Sequence, residues 1–120
     1  MYVLMVVPSN FPNGDAGAVR DMSFASIFRN LGYDVILIGA GRKEKEGEVN
    51  GVHFYSVYQE AQNKIGHLKR FLGAKSAYMA FINQTINRNG LPSVIYINDV
   101  SHPLIEKLRI LAQKNSIPIL

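Results

Sequence analysis

Four mainly apolar runs divide this chain into regular intervals. They occupy residues 2–7, 35–38, 52–57 and 94–97. A short apolar run bounded by polar or turn-forming residues is typical of a parallel strand that is buried on both faces. The third run alternates in polarity, as strands nearer a sheet edge do. Because a further apolar run begins at residue 117, the pattern predicts five strands.

Between these runs, apolar residues recur every three or four positions, which is the spacing of an amphipathic helix. This spacing predicts helices over residues 18–31 and 61–89, and a third helix with Ser101 as its N-cap. The charged residues 42–48 predict a solvated loop. The predicted buried face of the first helix consists of Phe24, Ile27, Phe28 and Leu31.

The alternation of strands and helices predicts an α/β fold with a parallel sheet, right-handed crossovers and helices on both faces. We expect a Rossmann-like strand order of 3-2-1-4-5, in which the first and fourth strands are neighbours. Such sheets bind ligands at the carboxyl ends of their strands, where the strand order reverses. The loops over residues 8–18 and 98–102 should therefore meet at a ligand-binding crevice.

The composition narrows the class of protein. A chain of 120 residues suffices for one domain, and 48% apolar with 18% charged residues is ordinary for a globular fold. The sequence contains no cysteine, which excludes disulfides, thiolate metal sites and a cysteine nucleophile. The apolar start stops at Pro8, too soon for a signal or membrane-spanning segment, so we expect a cytoplasmic protein. Because the sequence stops as its fifth strand begins, we expect a truncated domain.

The loop after the first strand contains two glycines that suit the close approach of a ligand. Gly14 and Gly17 would bring backbone N–H groups near a phosphate or sugar, or they would only relieve a tight turn into the helix. Arg20 lies in the first turn of that helix, where a cation is unfavourable. It therefore serves either a ligand or interdomain contact, or a surface salt bridge. Asp15 is expected to cap the helix.

Polar residues also follow the fourth strand. Asn98 and Asp99 are of types that bind hydroxyl groups, although such residues also end strands by bonding their own backbone. His102, at the start of the last helix, either contacts a ligand or has a structural role. The residues assigned to an acceptor or interdomain cleft are Ser9, Asn10, Arg20, Asn98, Asp99 and His102.

Much of the formal charge of +4 comes from one predicted helix, whose cations include Lys64, Lys69, Arg70 and Lys75. Such a helix face is either solvated or suited to peripheral contact with an anionic membrane. The aromatic residues lie at core-like positions and not between the cations, so we expect no nucleic-acid binding. No histidine has a second ligand at metal-binding spacing, and we expect neither a metal nor another cofactor.

The strand ends exclude several chemistries. A dinucleotide site needs Gly-x-Gly-x-x-Gly directly after the first strand and an acidic residue after the second, where this chain has Gly39. A phosphate-receiver domain needs paired acids at residues 8–10, which are Pro-Ser-Asn. The sequence has neither a Walker lysine motif nor a visible pair of nucleophile and base, so the catalytic residues stay unknown.

The motifs of the first half resemble those of glycosyltransferase family 4, whose members have the GT-B fold. A Val-Val-Pro strand end leads to Ala-Gly-Ala-Val-Arg at residues 16–20, and then to Leu-Gly-Tyr-Asp-Val-Ile at residues 31–36. Family members commonly have Gly-Gly-x-x-Arg at the first place and Gly-His-x-Val at the second. Here Ala16 replaces the first glycine and Tyr33 replaces the histidine.

The resemblance implies that the chain is the N-terminal, acceptor-side half of a retaining glycosyltransferase that uses a nucleotide-sugar donor and no metal. Gly17 would lie beside the donor diphosphate, and Arg20 near a sugar or lipid-linked acceptor. The donor would bind mainly to a C-terminal domain that is absent here, so the fragment alone would be inactive. Two alternatives stay open: the N-terminal half of a nucleotide-sugar epimerase, and a free-standing flavodoxin-like binding module.

Overall fold

The computed structural model describes residues 1–12, 15–41, 46–57, 64–98, 100 and 102–120, with the side chains of residues 64–76 outside that description. Along the chain, the elements are β1 (Tyr2–Val6), α1 (Ala16–Asn30), β2 (Asp34–Gly39), β3 (Glu46–Val49), β4 (Val52–Ser56), α2 (Lys64–Asn89), β5 (Val94–Ile97) and α3 (His102–Asn115). The predicted α/β fold is therefore confirmed.

The five strands form one sheet in the order β3-β4-β2-β1-β5. Strands β4, β2, β1 and β5 are parallel to one another, with Val3 of β1 paired to Val35 on one side and Val94 on the other. Beside β5, Ile119 forms an isolated parallel bridge with Ile95. Strand β1 therefore lies inside the sheet, with its carboxyl end between those of β2 and β5.

The prediction of an all-parallel sheet in the order 3-2-1-4-5 is wrong. The sheet is mixed, because β3 pairs antiparallel with β4 at one edge. The connecting turn has positive φ at Asn50 (49°) and Gly51 (79°), the geometry that an Asn-Gly pair favours in two-residue hairpins. The mixed charges of residues 42–48 predict a solvated, hairpin-like loop, but β3 begins within it, at Glu46. At the other edge, the predicted fifth strand contributes only the bridge at Ile119.

Helix α1 begins at Ala16, two residues before its predicted start, because Asp15 ends the loop as the N-cap. The Ala18 backbone N–H donates to the Asp15 carboxylate at 2.7 Å, which confirms the predicted cap. Gly32 follows the helix with φ of 96°, a left-handed conformation that favours glycine at this place. Helix α2 ends at Asn89 as predicted, whereas its predicted start at residue 61 lies outside the described residues.

The helices cover both faces of the sheet. Helix α1 packs over one face, whose buried residues include Val3, Met5, Leu37 and Phe54. Helices α2 and α3 pack over the other face, whose buried residues include Leu4, Val6, Ile38 and Ile95. Successive side chains of a strand point to opposite faces, so β1 supplies both cores. Each fully buried large apolar side chain stabilises the fold by about 1.5–3 kcal/mol.

The prediction of which α1 side chains are buried is wrong for three of the four residues. Three of the four side chains are exposed: Phe24 by 37%, Ile27 by 52% and Leu31 by 69%. The buried residues of α1 are Ala18, Asp21 and Ala25. Two of these are alanines, whose small side chains allow the helix to lie close to the sheet, and the larger groups lie along its flank. There the Phe24 ring contacts the Tyr96 ring, with 5.3 Å between centroids.

Two tyrosine hydroxyl groups hold α2 antiparallel to β1. The Tyr78 hydroxyl donates a buried 2.7 Å hydrogen bond to the Val7 carbonyl, just past the carboxyl end of β1. At the other end, the Tyr2 hydroxyl donates to the Gly90 carbonyl at 2.7 Å, and burial raises the pKa of Tyr2 to about 12. In the described part of the chain, no helix has the length and apolar character needed to cross a bilayer.

We expect Tyr78→Phe to lower the free energy of unfolding by about 1–3 kcal/mol, because it removes the hydroxyl donor from the buried Val7 carbonyl. The matched control is Tyr33→Phe, since the half-buried Tyr33 hydroxyl makes no hydrogen bond among the described residues. Urea denaturation measures both variants. Equal losses would show that the Tyr78 hydrogen bond does not hold α2 in place.

Candidate functional site

The loops that follow β1 and β5 meet at the carboxyl ends of these two neighbouring strands. Val6 of β1 pairs with Ile97 of β5, and the Asn98 backbone N–H donates to the Val6 carbonyl at 3.1 Å. Ser9 lies three residues beyond Val6, on the loop that leads to α1. The two loops that were expected to border a crevice therefore start side by side, with Ser9 on one and Asn98 on the other. The ligand-binding crevice between them stays a prediction.

The end of β2 fixes the path of the β1–α1 loop. The Val7 N–H donates to the Ile38 carbonyl at 3.0 Å, and the Ala40 N–H donates to the Ser9 carbonyl at 2.9 Å. A Cβ added at Gly41 would collide with the Phe11 carbonyl oxygen, so this close passage requires glycine. Backbone contacts with the end of β2 thus hold the loop in place.

A buried carboxyl group lies behind the crevice. Asp21 of α1 has no exposed surface, and the Ser9 hydroxyl donates to its Oδ2 at 2.6 Å. Its Oδ1 has no hydrogen-bond partner among the described residues, and neither has the buried Nδ2 of Asn98. The Ser9–Asp21 hydrogen bond therefore ties the β1–α1 loop to α1. Because the polar atoms of the Ser9–Asp21–Asn98 cluster are enclosed, the cluster does not itself present a polar surface to a ligand.

The charge of Asp21 is controlled mainly by its burial. Desolvation raises the pKa of its carboxyl group, and the Ser9 hydrogen bond, the positive charge of Arg20 and the nearby Asn98 amide oppose that rise. Burial also raises the pKa of Tyr96, and the negative charge of Asp21 raises it further. Residues from β5, α1 and both loops therefore share one electrostatic environment.

The start of α1 packs tightly against the crevice loop. A Cβ at Gly17 would lie 3.3 Å from the Ser9 Cβ and 3.4 Å from Asp15 Oδ1, closer than most neighbours tolerate. Asp15 also accepts from the Asn10 backbone N–H at 3.2 Å, in addition to the Ala18 N–H. The structure thus supports the role of Gly17 in relieving a tight turn. Its predicted role beside a ligand stays a prediction.

Arg20 is the exposed cation beside this packed start of α1. Its side chain lies outside every ion pair between described residues, so the alternative of a surface salt bridge is not observed there. Its Nη2 lies 3.9 Å from where a Gly17 Cβ would stand, which places the guanidinium over the helix start. Arg20 is therefore available to an anionic group at the edge of the crevice.

The other predicted site residues differ in position. Asn10 is half-buried on the β1–α1 loop, and His102 is exposed at the first position of α3. Gly14 and Asp99 lie outside the described residues, as do the side chains of the basic residues Lys64, Lys69, Arg70 and Lys75. Among the residues that are described, no three His, Asp or Glu side chains form a group able to hold a metal ion.

Asp21 is the site residue that the sequence analysis missed. It occupies the same helix face as Ala18 and Ala25, at spacings of three and four residues. An acidic residue between two alanines at this spacing indicates a carboxyl group directed into the protein, where it needs a polar partner. That signal was present in the sequence, but the larger apolar residues of α1 indicated a different face.

Comparison of the chain with models of protein families, with curated proteins and with solved structures finds no match.

We expect Ser9→Ala to lower the free energy of unfolding by about 1–3 kcal/mol, because Asp21 Oδ2 would lose its hydroxyl donor inside the protein. The control is Ser23→Ala, which removes an exposed hydroxyl bonded to the Val19 carbonyl on the same helix and should cost less than about 0.5 kcal/mol. Chemical denaturation compares the two. A Ser9→Ala loss no larger than the control loss would contradict the positioning role of the cluster.

The raised pKa of Asp21 predicts a pH-dependent stability. The native chain keeps the Asp21 proton to higher pH than the unfolded chain does, so this group makes the fold less stable as pH rises from its ordinary pKa of 3.8 towards the raised value. Asp21→Asn removes that loss. The free energy of unfolding of the variant, minus that of the wild type, should increase with pH across this window, as urea denaturation at a series of pH values would show. The exposed Asp34→Asn variant controls for the lost charge, and a difference for Asp21→Asn that falls with pH would contradict the assignment.

Proposed function

We propose that residues 1–120 form the N-terminal, acceptor-side domain of a GT-B-type glycosyltransferase, which transfers a sugar from a nucleotide-sugar donor to an acceptor. The observation that carries the proposal is the exposed Arg20 guanidinium, without an ion pair among the described residues, beside a crevice whose β1–α1 loop is tied to α1 by the Ser9–Asp21 hydrogen bond. An exposed cation beside a crevice suits recognition of a substrate that carries hydroxyl groups and an anionic group.

The parallel part of the sheet supports this proposal. A Rossmann-like half of a GT-B protein would present its ligand at the carboxyl ends of neighbouring parallel strands, and β1 and β5 are such neighbours here. The antiparallel β3 lies at the far edge, beyond β4 and β2, so it leaves this crevice unchanged. The fold alone does not select an activity, and the proposal therefore depends on the crevice residues and on the resemblance of residues 16–20 and 31–36 to family 4.

The packing around Gly17 leaves the start of α1 poorly suited to holding a diphosphate by itself. The Asp15 carboxylate already accepts from the Ala18 N–H, so the start of α1 offers a diphosphate an anion as well as amide donors. Gly17 adds no side chain to this turn, where a Cβ would already lie 3.3 Å from the Ser9 Cβ. We therefore assign the main hold on the donor diphosphate to a C-terminal domain, with Gly17 facing it across the cleft. The same role for Gly14, which lies outside the described residues, is a prediction from the sequence alone.

Arg20 belongs to the acceptor side in this proposal. Guanidinium groups recognise carboxylates and phosphates through paired N–H donors, so an acceptor with such a group would be oriented by Arg20. Asn10 and His102 would contact its hydroxyl groups. The same role for Asp99, which lies outside the described residues, is a prediction from the sequence alone. A lipid-linked acceptor would also fit peripheral contact of the basic part of α2 with an anionic membrane on the cytoplasmic side.

The chemistry would be completed outside residues 1–120. Closure of the two domains would bring the donor to the acceptor and exclude water, which would otherwise hydrolyse the donor. The resemblance to family 4 implies retention of the anomeric configuration without a metal ion. We assign no catalytic residue within this chain; its own residues bind and orient the acceptor.

The test is transfer by the protein expressed from its complete reading frame. We expect mass spectrometry to detect consumption of at least one donor from a panel of UDP-, GDP- and ADP-sugars in the presence of candidate acceptors. Arg20→Gln should lower kcat/KM for transfer at least about tenfold, because a charged hydrogen-bond donor to the acceptor is lost. The control is Arg109→Gln, since Arg109 pairs with Glu106 at 3.1 Å on the exposed face of α3.

Two results would overturn the proposal. One is the absence of consumption of any nucleotide sugar by the complete protein with any acceptor. The other is transfer at the same kcat/KM in Arg20→Gln and Arg109→Gln, because the cation over the crevice would then contribute nothing to substrate recognition.

A further inference from the structure

A cavity lies beside β2, β3, β4 and the end of α2, away from the carboxyl ends of β1 and β5. Its volume is about 340 Å³, near the lower end of the range of about 300–1,000 Å³ that is usual for small-molecule sites. The residues that line it are Ile36, Glu46, His53, Tyr55, Arg88 and Asn89. They come from β2, β3, β4 and the last turn of α2.

The register of the sheet separates this cavity from the crevice. Ile36 and His53 are paired neighbours in the first half of β2 and β4, before the carboxyl ends of those strands. Helix α2 reaches the same end of the sheet, since Gly90, just after the helix, accepts from Tyr2 at the start of β1. The Ser9–Asp21–Asn98 cluster lies at the carboxyl ends of β1 and β5. A ligand in this cavity would therefore be independent of the proposed sugar transfer.

The floor of the cavity is apolar and held in place by aromatic contacts. Tyr55 is buried, and its ring meets the His53 ring edge to face with 5.0 Å between centroids. On its other side it contacts the Phe81 ring of α2 at 5.2 Å. Together with Ile36, this ring offers a preformed apolar surface to the body of a small molecule.

Only some of the polar groups around the floor have hydrogen-bond partners within the described part of the chain. The His53 Nε2–H donates to Glu46 Oε2 at 3.0 Å, and the Asn89 amide donates to the Thr85 carbonyl at 3.1 Å. The Arg88 guanidinium has no hydrogen bond or ion pair within the described part of the chain. One guanidinium, the second Glu46 oxygen and the Asn89 carbonyl oxygen thus stay available to a ligand.

We propose that this cavity binds a small zwitterion of the amino-acid type. Its carboxylate would pair with Arg88, its ammonium group would donate to Glu46 and Asn89, and its side chain would lie on Ile36 and Tyr55. Because the lining carries both a positive group, Arg88, and a negative group, Glu46, it favours a ligand with both charges. A simple anion would meet the Glu46 carboxylate and a simple cation would meet Arg88, whereas a zwitterion complements both groups.

The experiment is isothermal titration calorimetry of the protein from its complete reading frame with each of the standard L-amino acids. We expect saturable binding of at least one apolar amino acid. Arg88→Gln and Glu46→Gln should each weaken that binding at least about tenfold, since each removes a charged partner. The controls are Arg109→Gln and Glu106→Gln, which change the same residue types in the exposed ion pair of α3 and should leave binding unchanged.

Analogues of the bound amino acid test the zwitterion directly. The analogue without the amino group and the analogue with an amide in place of the carboxylate should each bind at least about tenfold more weakly. Three results would overturn the proposal: no saturable binding of any amino acid, equal affinity for the analogue without the amino group, or equal affinity in the Arg88 and Arg109 variants. Because all four variants change exposed side chains, unchanged thermal unfolding would confirm that each one is folded.

Discussion

The hydrogen bond from Ser9 to the buried carboxyl group of Asp21 links the loop after β1 to α1, and the geometry of the crevice depends on it. A carboxyl group without exposed surface is costly unless it is hydrogen-bonded or protonated. Here one oxygen receives the Ser9 hydroxyl, and the nearby Asn98 amide and Arg20 charge favour the ionised form against the effect of burial. The same group therefore sets the position of the β1–α1 loop and the local response to pH.

Small residues make this arrangement sterically possible. Ala18 and Ala25 bring α1 close to the sheet, Gly17 fits against Ser9, and Gly41 leaves room for the Phe11 carbonyl. Helix α1 therefore approaches the sheet through its small side chains, and its large apolar groups lie to the side. Close approach also explains why Asp21 is enclosed, since an acid at this place on a more distant helix would reach water. The close packing of α1 on the sheet thus also causes the burial that raises the pKa of Asp21.

Two separate regions of the sheet carry different polar groups. At the carboxyl ends of β1 and β5, the Ser9–Asp21 hydrogen bond ties the β1–α1 loop to α1, and Arg20 supplies an exposed cation, which we connect with acceptor binding in sugar transfer. At the edge formed by β3 and β4, an aromatic floor is bordered by Arg88 and Glu46, which we connect with an amino-acid ligand. The Tyr2 and Tyr78 hydrogen bonds hold α2 along β1, one near each end of that strand.

The sequence by itself determined the α/β class, the four parallel strands and the Asp15 cap, because each depends on local patterns: apolar runs, helical spacing and an acid before a helix. It also held the Asn50–Gly51 turn signal, although the neighbouring charges favoured a loop there. The tertiary structure alone decided which side of α1 is buried, that Asp21 receives the Ser9 hydroxyl, and that Arg88 and Glu46 border one cavity. These results depend on how closely elements distant in the chain approach one another, and hydrophobic periodicity carries no information about that distance.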